Sequence, residues 1–311
     1  MPMDPMLQMM TDNARSTGGG RGLREGTLEE ARAGYDAIVG AGGESPELAS
    51  VEDRTIPGPA GEIPIRIYTP LGAAPFPVVV FFHGGGFTIG SLTSHDPIAR
   101  RICGEAEAIV VAVDYRLAPE HKFPAAVEDA FAALQWVGAN AASFGGDPER
   151  LAVAGDSAGG NLSAVSALMA RDAGGPVLRF QALVYPTTDA RADYPSVRDN
   201  GESIFLSADS MAWFYEQYGT GDAHMKLDWR ASPILAEDLS DLLPALIITA
   251  EYDTLRDEGE AYGEALRDAG NDVTIHRYDG MTHVFFQLWG VLAAAKEAMT
   301  ETTTALRKAL A

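Results

Sequence analysis

The segment Gly155-Asp156-Ser157-Ala158-Gly159 follows the apolar run Leu151 to Ala154 and leads into a helical pattern from Asn161 to Arg171. A serine in a Gly-x-Ser-x-Gly turn between strand and helix is exposed as a nucleophile, and the tight turn needs small neighbours, here Gly155, Gly159 and Gly160. A glycine-rich turn without chemistry would read the same in isolation; the strand and helix around it favour the nucleophile. A serine hydroxyl attacks only when a base takes its proton and fixed N–H donors receive the charge that develops on the substrate oxygen. The donors are sought in His83-Gly84-Gly85-Gly86-Phe87, directly after the apolar run Val78 to Phe82. Its glycines let backbone approach a carbonyl closely, so the N–H groups of Gly84 and Gly85, with that of Ala158, are the candidate oxyanion donors. The loop lacks the Lys-Ser/Thr of a phosphate-binding P-loop and the Gly-x-Gly-x-x-Gly spacing of a dinucleotide loop.

Six histidines compete for the role of base. His83 lies inside the glycine loop, where an imidazole braces backbone, and His95 follows in a loop or helix start. His121 sits between Glu120 and Lys122 in a polar connection, His224 in a long insertion, and His276 within a strand. His283 remains, just past the last strand, where a loop at the carboxyl edge of a sheet can carry its ring to Ser157. The acid that orients it belongs after the preceding strand, since the chain order on such a fold is Ser, then Asp or Glu, then His. Glu251, Asp253, Asp257 and Glu258 follow that strand. Asp257 and Glu258 suit the positive end of the next helix, so Asp253 is assigned, with Glu251 in reserve.

These groups need a scaffold. Short β-branched or aromatic runs alternate with helical patterns from about residue 50, the signature of a mainly parallel sheet covered by helices. Ile63 to Tyr68 alternates and reads as an antiparallel edge pair with the stretch near Val51, whereas Val78 to Phe82, Ile109 to Val113, Leu151 to Ala154, Phe180 to Tyr185, Ala245 to Thr249 and Val273 to Tyr278 read as buried on both faces. Helical patterns cover Pro124 to Ala139, Asn161 to Arg171, Asp257 to Ala269 and Val291 to Leu310. About sixty residues separate Tyr185 from Ala245, too many for a simple crossover. A small unit is expected there, with a core of Ile204, Phe205, Leu206, Met211, Trp213, Phe214, Tyr215 and Tyr218, packing with the N-terminal segment as a lid. In that segment Thr27 and Glu30 have capping-box spacing for a helix from Thr27 to Gly40, with Tyr35, Ile38 and Val39 on its apolar face. Five of the ten Met lie in the first ten positions, ahead of Gly18 to Gly20. That cluster reads equally as a frayed end or as an adaptable apolar flap over a pocket.

The chain has 311 residues, 46% of them hydrophobic and 22% charged, which is ordinary globular usage. Its 44 acidic against 23 basic residues give a net charge of −21, which repels nucleic acid and anionic lipid and favours neutral over anionic small molecules. The single Cys103 allows no internal disulfide and no cysteine metal cluster. The apolar runs are strand-sized, far below the ~20 residues that span a bilayer, and the first residues lack the pattern of a secretory signal. A cytoplasmic chain is expected.

Four segments together resemble the bacterial hormone-sensitive-lipase-like carboxylesterases (family IV esterases) of the α/β-hydrolase superfamily. They are His83 to Gly86; Asp114-Tyr115-Arg116-Leu117-Ala118-Pro119-Glu120-His121, leading to Phe123 through Asp129; Gly155 to Gly160; and Asp253 to Gly259 with His283. The likeness covers the chain from about residue 50 to its end. It implies an α/β-hydrolase fold, a mostly parallel central sheet flanked by helices with a helical cap. The catalytic part would be 51–187 and 226–311, with the cap drawn from 1–50 and the insertion 188–225. It implies the triad Ser157, Asp253 and His283, oxyanion donors Gly84, Gly85 and Ala158, no cofactor and no metal, and hydrolysis of short- to medium-chain acyl esters through an acyl-enzyme. Phe87, Leu206, Met211 and Phe214 are the candidate substrate contacts. Arg116, Glu120 and Asp129 read as ion-pair and turn residues that hold the glycine loop. Thr254 stands where the family commonly has proline, a difference in loop stiffness. The resemblance also suggests a homodimer through the last strand and helix. A non-catalytic receptor on the same fold is disfavoured because His283 is present, and an amidase or peptidase because nothing marks a charged subsite for peptide termini.

Overall fold

A computed structural model describes residues 1–17, 23–37 and 43–311. Its elements in chain order are α1 (Pro5–Ser16), α2 (Leu28–Asp36), β1 (Ser50–Gly58), β2 (Gly61–Thr69), β3 (Phe76–Phe82), α3 (Asp96–Ala106), β4 (Ile109–Val113), α4 (Ala125–Asn140), β5 (Gly146–Asp156), α5 (Ala158–Ala173), β6 (Leu178–Val184), α6 (Pro195–Asp199), α7 (Ala208–Tyr218), β7 (Ala245–Tyr252), α8 (Arg256–Asp268), β8 (Val273–Thr282) and α9 (Ala293–Ala309). The strands form one sheet in the order β1-β2-β4-β3-β5-β6-β7-β8. β1 and β2 are antiparallel and every pair from β4 through β3 to β8 is parallel. This is the α/β-hydrolase fold.

Strand alternation divides the apolar residues between two cores. In β3, Val79 and Phe81 point to the face covered by α3 and α9, while Val78, Val80 and Phe82 point to the face covered by α4 and α5. The parallel register sets Phe82 beside Gly155 and Asp156 beside Val184. The loops after β3, β5, β7 and β8 therefore open at one edge of the sheet. Those loops carry His83 to Gly86, Ser157, Asp253 and His283.

The expected strands and helices are present, with three corrections. Val273 to Tyr278 is not buried on both faces: β8 is the outermost strand, so Thr274, His276 and Arg277 are exposed, with His276 on Glu301 and Arg277 on Glu260. The first residues are neither frayed nor a flap over the main cavity. Asp4 caps α1 by accepting the Met6 N–H, Leu7 is fully buried, and Met3 and Met10 pack against the sheet core. The core expected in the insertion forms only in part: Leu206 and Met211 cluster with Phe214 and Tyr215 and take in Leu255 from outside the insertion, whereas Phe205 joins the α3/α9 side and Tyr218 the α4/α5 side. The capping box of Thr27 and Glu30 forms and α2 ends at Asp36. Gly18 to Gly20, Ile38, Val39 and Gly40 lie outside the described residues.

Candidate active site

Ser157 occupies the turn between β5 and α5 with φ +55° and ψ −118°, a backbone conformation in which a non-glycine residue is strained. Packing and hydrogen bonds hold it there. Its N–H donates to Val184 O at 2.8 Å, and its carbonyl accepts from Asn161 N at 3.1 Å and Thr187 N at 3.3 Å. Helix α5 approaches β3 so closely that a Cβ on Gly159 would collide with the carbonyl of Phe82, which is why the turn requires glycine there.

The structure brings the three assigned groups into contact. His283 Nε2 lies 3.0 Å from Ser157 Oγ, and His283 Nδ1 lies 2.7 Å from Asp253 Oδ2. The other oxygen of Asp253 accepts the Leu255 N–H at 2.9 Å, so both ends of the carboxylate are fixed. Asp253 is 1% exposed and His283 4%, and the Tyr185 ring lies 4.5 Å from the imidazole. Glu251, the reserve acid, instead accepts the Gly280 N–H at 2.7 Å. Among the described residues none of the other five histidines is hydrogen-bonded to Ser157. His83 is stacked on Tyr115 at 4.4 Å, with Nδ1 2.8 Å from Gly84 O; burial pushes its pKa down to about 3, which keeps it a neutral brace.

The glycine loop requires a correction. The N–H of Gly84 donates to Asp156 Oδ1 at 3.0 Å, with His95 Nε2 at 3.3 Å, so it turns away from the serine. Gly84 does not line the cavity beside Ser157; Gly85 and Gly86 do. Among the described residues the N–H groups of Gly85 and Gly86 meet no acceptor, and that of Ala158 is an unpaired first-turn donor of α5. Gly85 reaches φ +120°, open to glycine alone. Asp156 was visible as part of the serine motif; nothing local revealed that it would reach 72 residues back to the loop.

The loop is held from outside as well. Ala118 N–H donates to Phe87 O at 2.8 Å, and Arg116 pairs through two bonds with Asp129, fixing the connection that carries Ala118. Arg32 of α2 reaches Thr88 O at 3.0 Å and Ala118 O at 3.1 Å and forms a bidentate pair with Glu120. Tyr35 accepts from Gln287 at 2.7 Å, beyond His283 in sequence. Arg32 escaped the sequence reading because a basic residue on a short helix has no distinguishing pattern.

A cavity of about 890 Å³ opens at Ser157 and His283. Phe87, Leu206, Met211 and Phe214 all line it, together with Thr187 and Tyr215, which sequence reasoning had not assigned to it. Glu258, read above as a first-turn acid suited to the helix dipole, turns inward. It is fully buried, and its Oε1 accepts from Thr188 N at 2.8 Å, Thr187 Oγ1 at 2.9 Å and Asp189 N at 3.3 Å. Among the described residues no three or more His, Cys, Asp or Glu side chains converge as a metal site, and no helix is long and apolar enough to cross a membrane.

Comparison with known proteins agrees with this fold. A family model of the alpha/beta hydrolase fold matches residues 79–287. The carboxylesterase NlhH of Mycobacterium tuberculosis is 45% identical over 315 residues, 99% of this chain and 96% of its own. The carboxylic ester hydrolase LipN of the same organism is 44% identical over 98% of this chain and 82% of its own. A hyperthermophilic esterase from the archaeon Pyrobaculum calidifontis superposes with a TM-score of 0.92 at 41% identity, covering the whole of both chains.

Proposed function

We propose that this chain, which belongs to the hormone-sensitive-lipase-like carboxylesterases of the alpha/beta-hydrolase fold, cleaves carboxylic esters with Ser157 as nucleophile, His283 as base and Asp253 as its orienting acid. Ser157 Oγ attacks the ester carbonyl while His283 Nε2 accepts its proton. The N–H groups of Gly85, Gly86 and Ala158 receive the charge on the carbonyl oxygen. The imidazolium then protonates the leaving alcohol, and water repeats the sequence on the acyl-enzyme. Asp253 holds the proton on Nδ1 and stabilises the imidazolium.

The observation that carries this reading is the unbroken contact from Asp253 through His283 to Ser157 at the mouth of an apolar-lined cavity. The substrates are small esters, and the cavity and net charge of −21 favour short- to medium-chain neutral ones. In the same reading, 1–50 and 188–225 act as a cap over 51–187 and 226–311, supported by Tyr35, Leu206, Met211 and Phe214 in the cavity wall. Pairing of two copies through β8 and α9, supported by the exposed outer strand, and a cytoplasmic location belong to it also. Ser157→Ala should lower kcat on a short-chain aryl ester by about 10⁶, as loss of the nucleophile does in subtilisin, and should abolish phosphonate labelling. Near-native activity of that variant would overturn the assignment.

A further inference from the structure

A line of hydroxyl groups runs from the cavity wall into the protein. Tyr215 of α7 and Thr187 both line the cavity, and their oxygens lie 3.1 Å apart. Thr187 Oγ1 lies 2.9 Å from Glu258 Oε1, and among the described residues Glu258 Oε2 has no hydrogen-bond partner. We propose that Glu258 positions substrate specificity through Thr187 and Tyr215: in its neutral form the cavity wall offers substrates a hydrogen-bond donor, and in its ionised form an acceptor, which selects esters carrying a hydroxyl group. The inference rests on the ester-cleaving reading of the same cavity.

The direction follows from counting protons. Thr187 and Tyr215 have one hydroxyl proton each. An ionised Glu258 only accepts, so Thr187 gives its proton to Oε1 and Tyr215 gives its proton to Thr187. Only lone pairs, no hydroxyl proton, are then left for the cavity. A neutral Glu258 has one proton to place. On Oε2 it would be a buried donor without an acceptor, which is costly; on Oε1 it reaches Thr187 while the oxygen still faces the N–H groups of Thr188 and Asp189. Thr187 then donates to Tyr215, whose own proton turns to the cavity. Ionisation releases one proton from Glu258 to solvent, and the two hydroxyls only rotate.

Burial pushes Glu258 up to about 8, so the change falls in a working range. The groups facing it do not titrate there. Asp189, on the loop after β6, is lowered against the pull of burial by Arg191 and Tyr194, and Tyr194 is raised first by burial. Tyr215 on α7 is raised well above the usual phenol range by burial, and on α8 Asp257 is lowered, Arg256 and Ser196 outweighing burial.

The test is a ratio of kcat/KM values, in which any pH dependence shared by the two esters cancels. Ethyl 3-hydroxybutyrate is compared with ethyl 3-methoxybutyrate, and 2-hydroxyethyl butyrate with 2-methoxyethyl butyrate, so that the hydroxyl lies once on the acyl and once on the alcohol side. In at least one pair the hydroxy-to-methoxy ratio should rise about threefold to tenfold between about pH 6 and about pH 9.5, the worth of one hydrogen bond, with a midpoint near 8. Glu258→Gln, whose carbonyl oxygen can only accept, should hold the ratio at its high value at every pH. Tyr215→Phe should hold it at the low value. Flat ratios for both pairs in the wild type, or an unchanged titration in either variant, would overturn the inference while leaving ester hydrolysis intact. Failure to hydrolyse any of the four esters would overturn both readings.

Discussion

Replacing Asp253 by Asn removes one charge and preserves shape, and the surrounding hydrogen bonds dictate the outcome. Asp253 Oδ1 accepts the Leu255 N–H at 2.9 Å, and Oδ2 faces His283 Nδ1 at 2.7 Å. The asparagine must keep its carbonyl oxygen on Leu255, because an amide nitrogen there would set two donors against each other. Its NH₂ group then points at His283 Nδ1, which must present a lone pair. The ring proton moves to Nε2, 3.0 Å from Ser157 Oγ, and the base becomes a donor to the group it should deprotonate. Loss of the charge also leaves the imidazolium of the transition state uncompensated at a site 4% exposed. In a protease triad the same exchange costs about 10⁴ in kcat, equivalent to ~5.5 kcal/mol. We expect a similar loss here, read from phenolate release with a short-chain aryl ester, and little change in KM because Asp253 lies behind the imidazole, outside the cavity wall. Glu251→Gln, which disturbs a carboxylate bonded to Gly280, should stay within about threefold of wild type. An Asp253→Asn variant within about 10² of wild type, or an equal collapse of Glu251→Gln, would refute this account of the triad.

Gly85→Ala should lower kcat by about 10² to 10³, the worth of a displaced oxyanion donor, since a Cβ at φ +120° would enter the carbonyl of Ile89 and the loop must shift; kcat within a few-fold of wild type in a folded variant would contradict it. Phe214→Ala widens the cavity, so kcat/KM for an octanoyl relative to a butanoyl ester should rise by about fourfold to fifteenfold, the benefit of burying one or two further methylenes at ~0.8 kcal/mol each; an unchanged chain-length series would remove Phe214 from the acyl pocket. Glu258 also makes stability depend on pH. Its carboxyl titrates at 4.5 when unperturbed and at about 8 in the folded chain, so the native state binds the extra proton between those values. The stabilisation is fully present below pH 4.5 and is lost as pH rises through 8, on the order of 5 kcal/mol over the window. Urea midpoints of wild type should therefore fall relative to Glu258→Gln from pH 5 to pH 9, and parallel curves would show that Glu258 is not neutral in the native state.

The parts legible in the sequence were those set by local pattern. Val78 to Phe82 and Ile109 to Val113 are apolar on both faces because each is an interior strand of a sheet covered by helices on both sides, and that needs no knowledge of strand order. Ser157 declared itself through its glycines, and His283 by position after the last strand. What could not be read depended on distant parts of the chain. The outer place of β8 follows from the order of eight strands, so the exposure of His276 and Arg277 had no local signal. Gly84, Gly85 and Gly86 are chemically identical, and only the carboxylate of Asp156 decides that the first of them turns its N–H away. Glu258 has the composition of a helix N-terminus and the burial of a core residue.

The strain at Ser157 and the aim of the glycine loop have a common support. β3 and β5 are adjacent with Phe82 opposite Gly155, so the loop that follows one and the turn that follows the other start from neighbouring positions. Asp156, one residue before the serine, then ties the turn to the loop through Gly84, and a shift of either is passed to the other. From the far side Arg32 and Tyr35 of α2 fasten the same loop and the segment after His283 to the N-terminal region. The proposed nucleophile, base and oxyanion donors are thus referenced to one sheet edge and one short helix. An acyl-transfer site needs its donors within a few tenths of an ångström of where charge develops. Buried bonds among Asp156, Gly84, His95 and Gln287 meet that demand where a glycine-rich loop alone, free to sample many backbone conformations, would not.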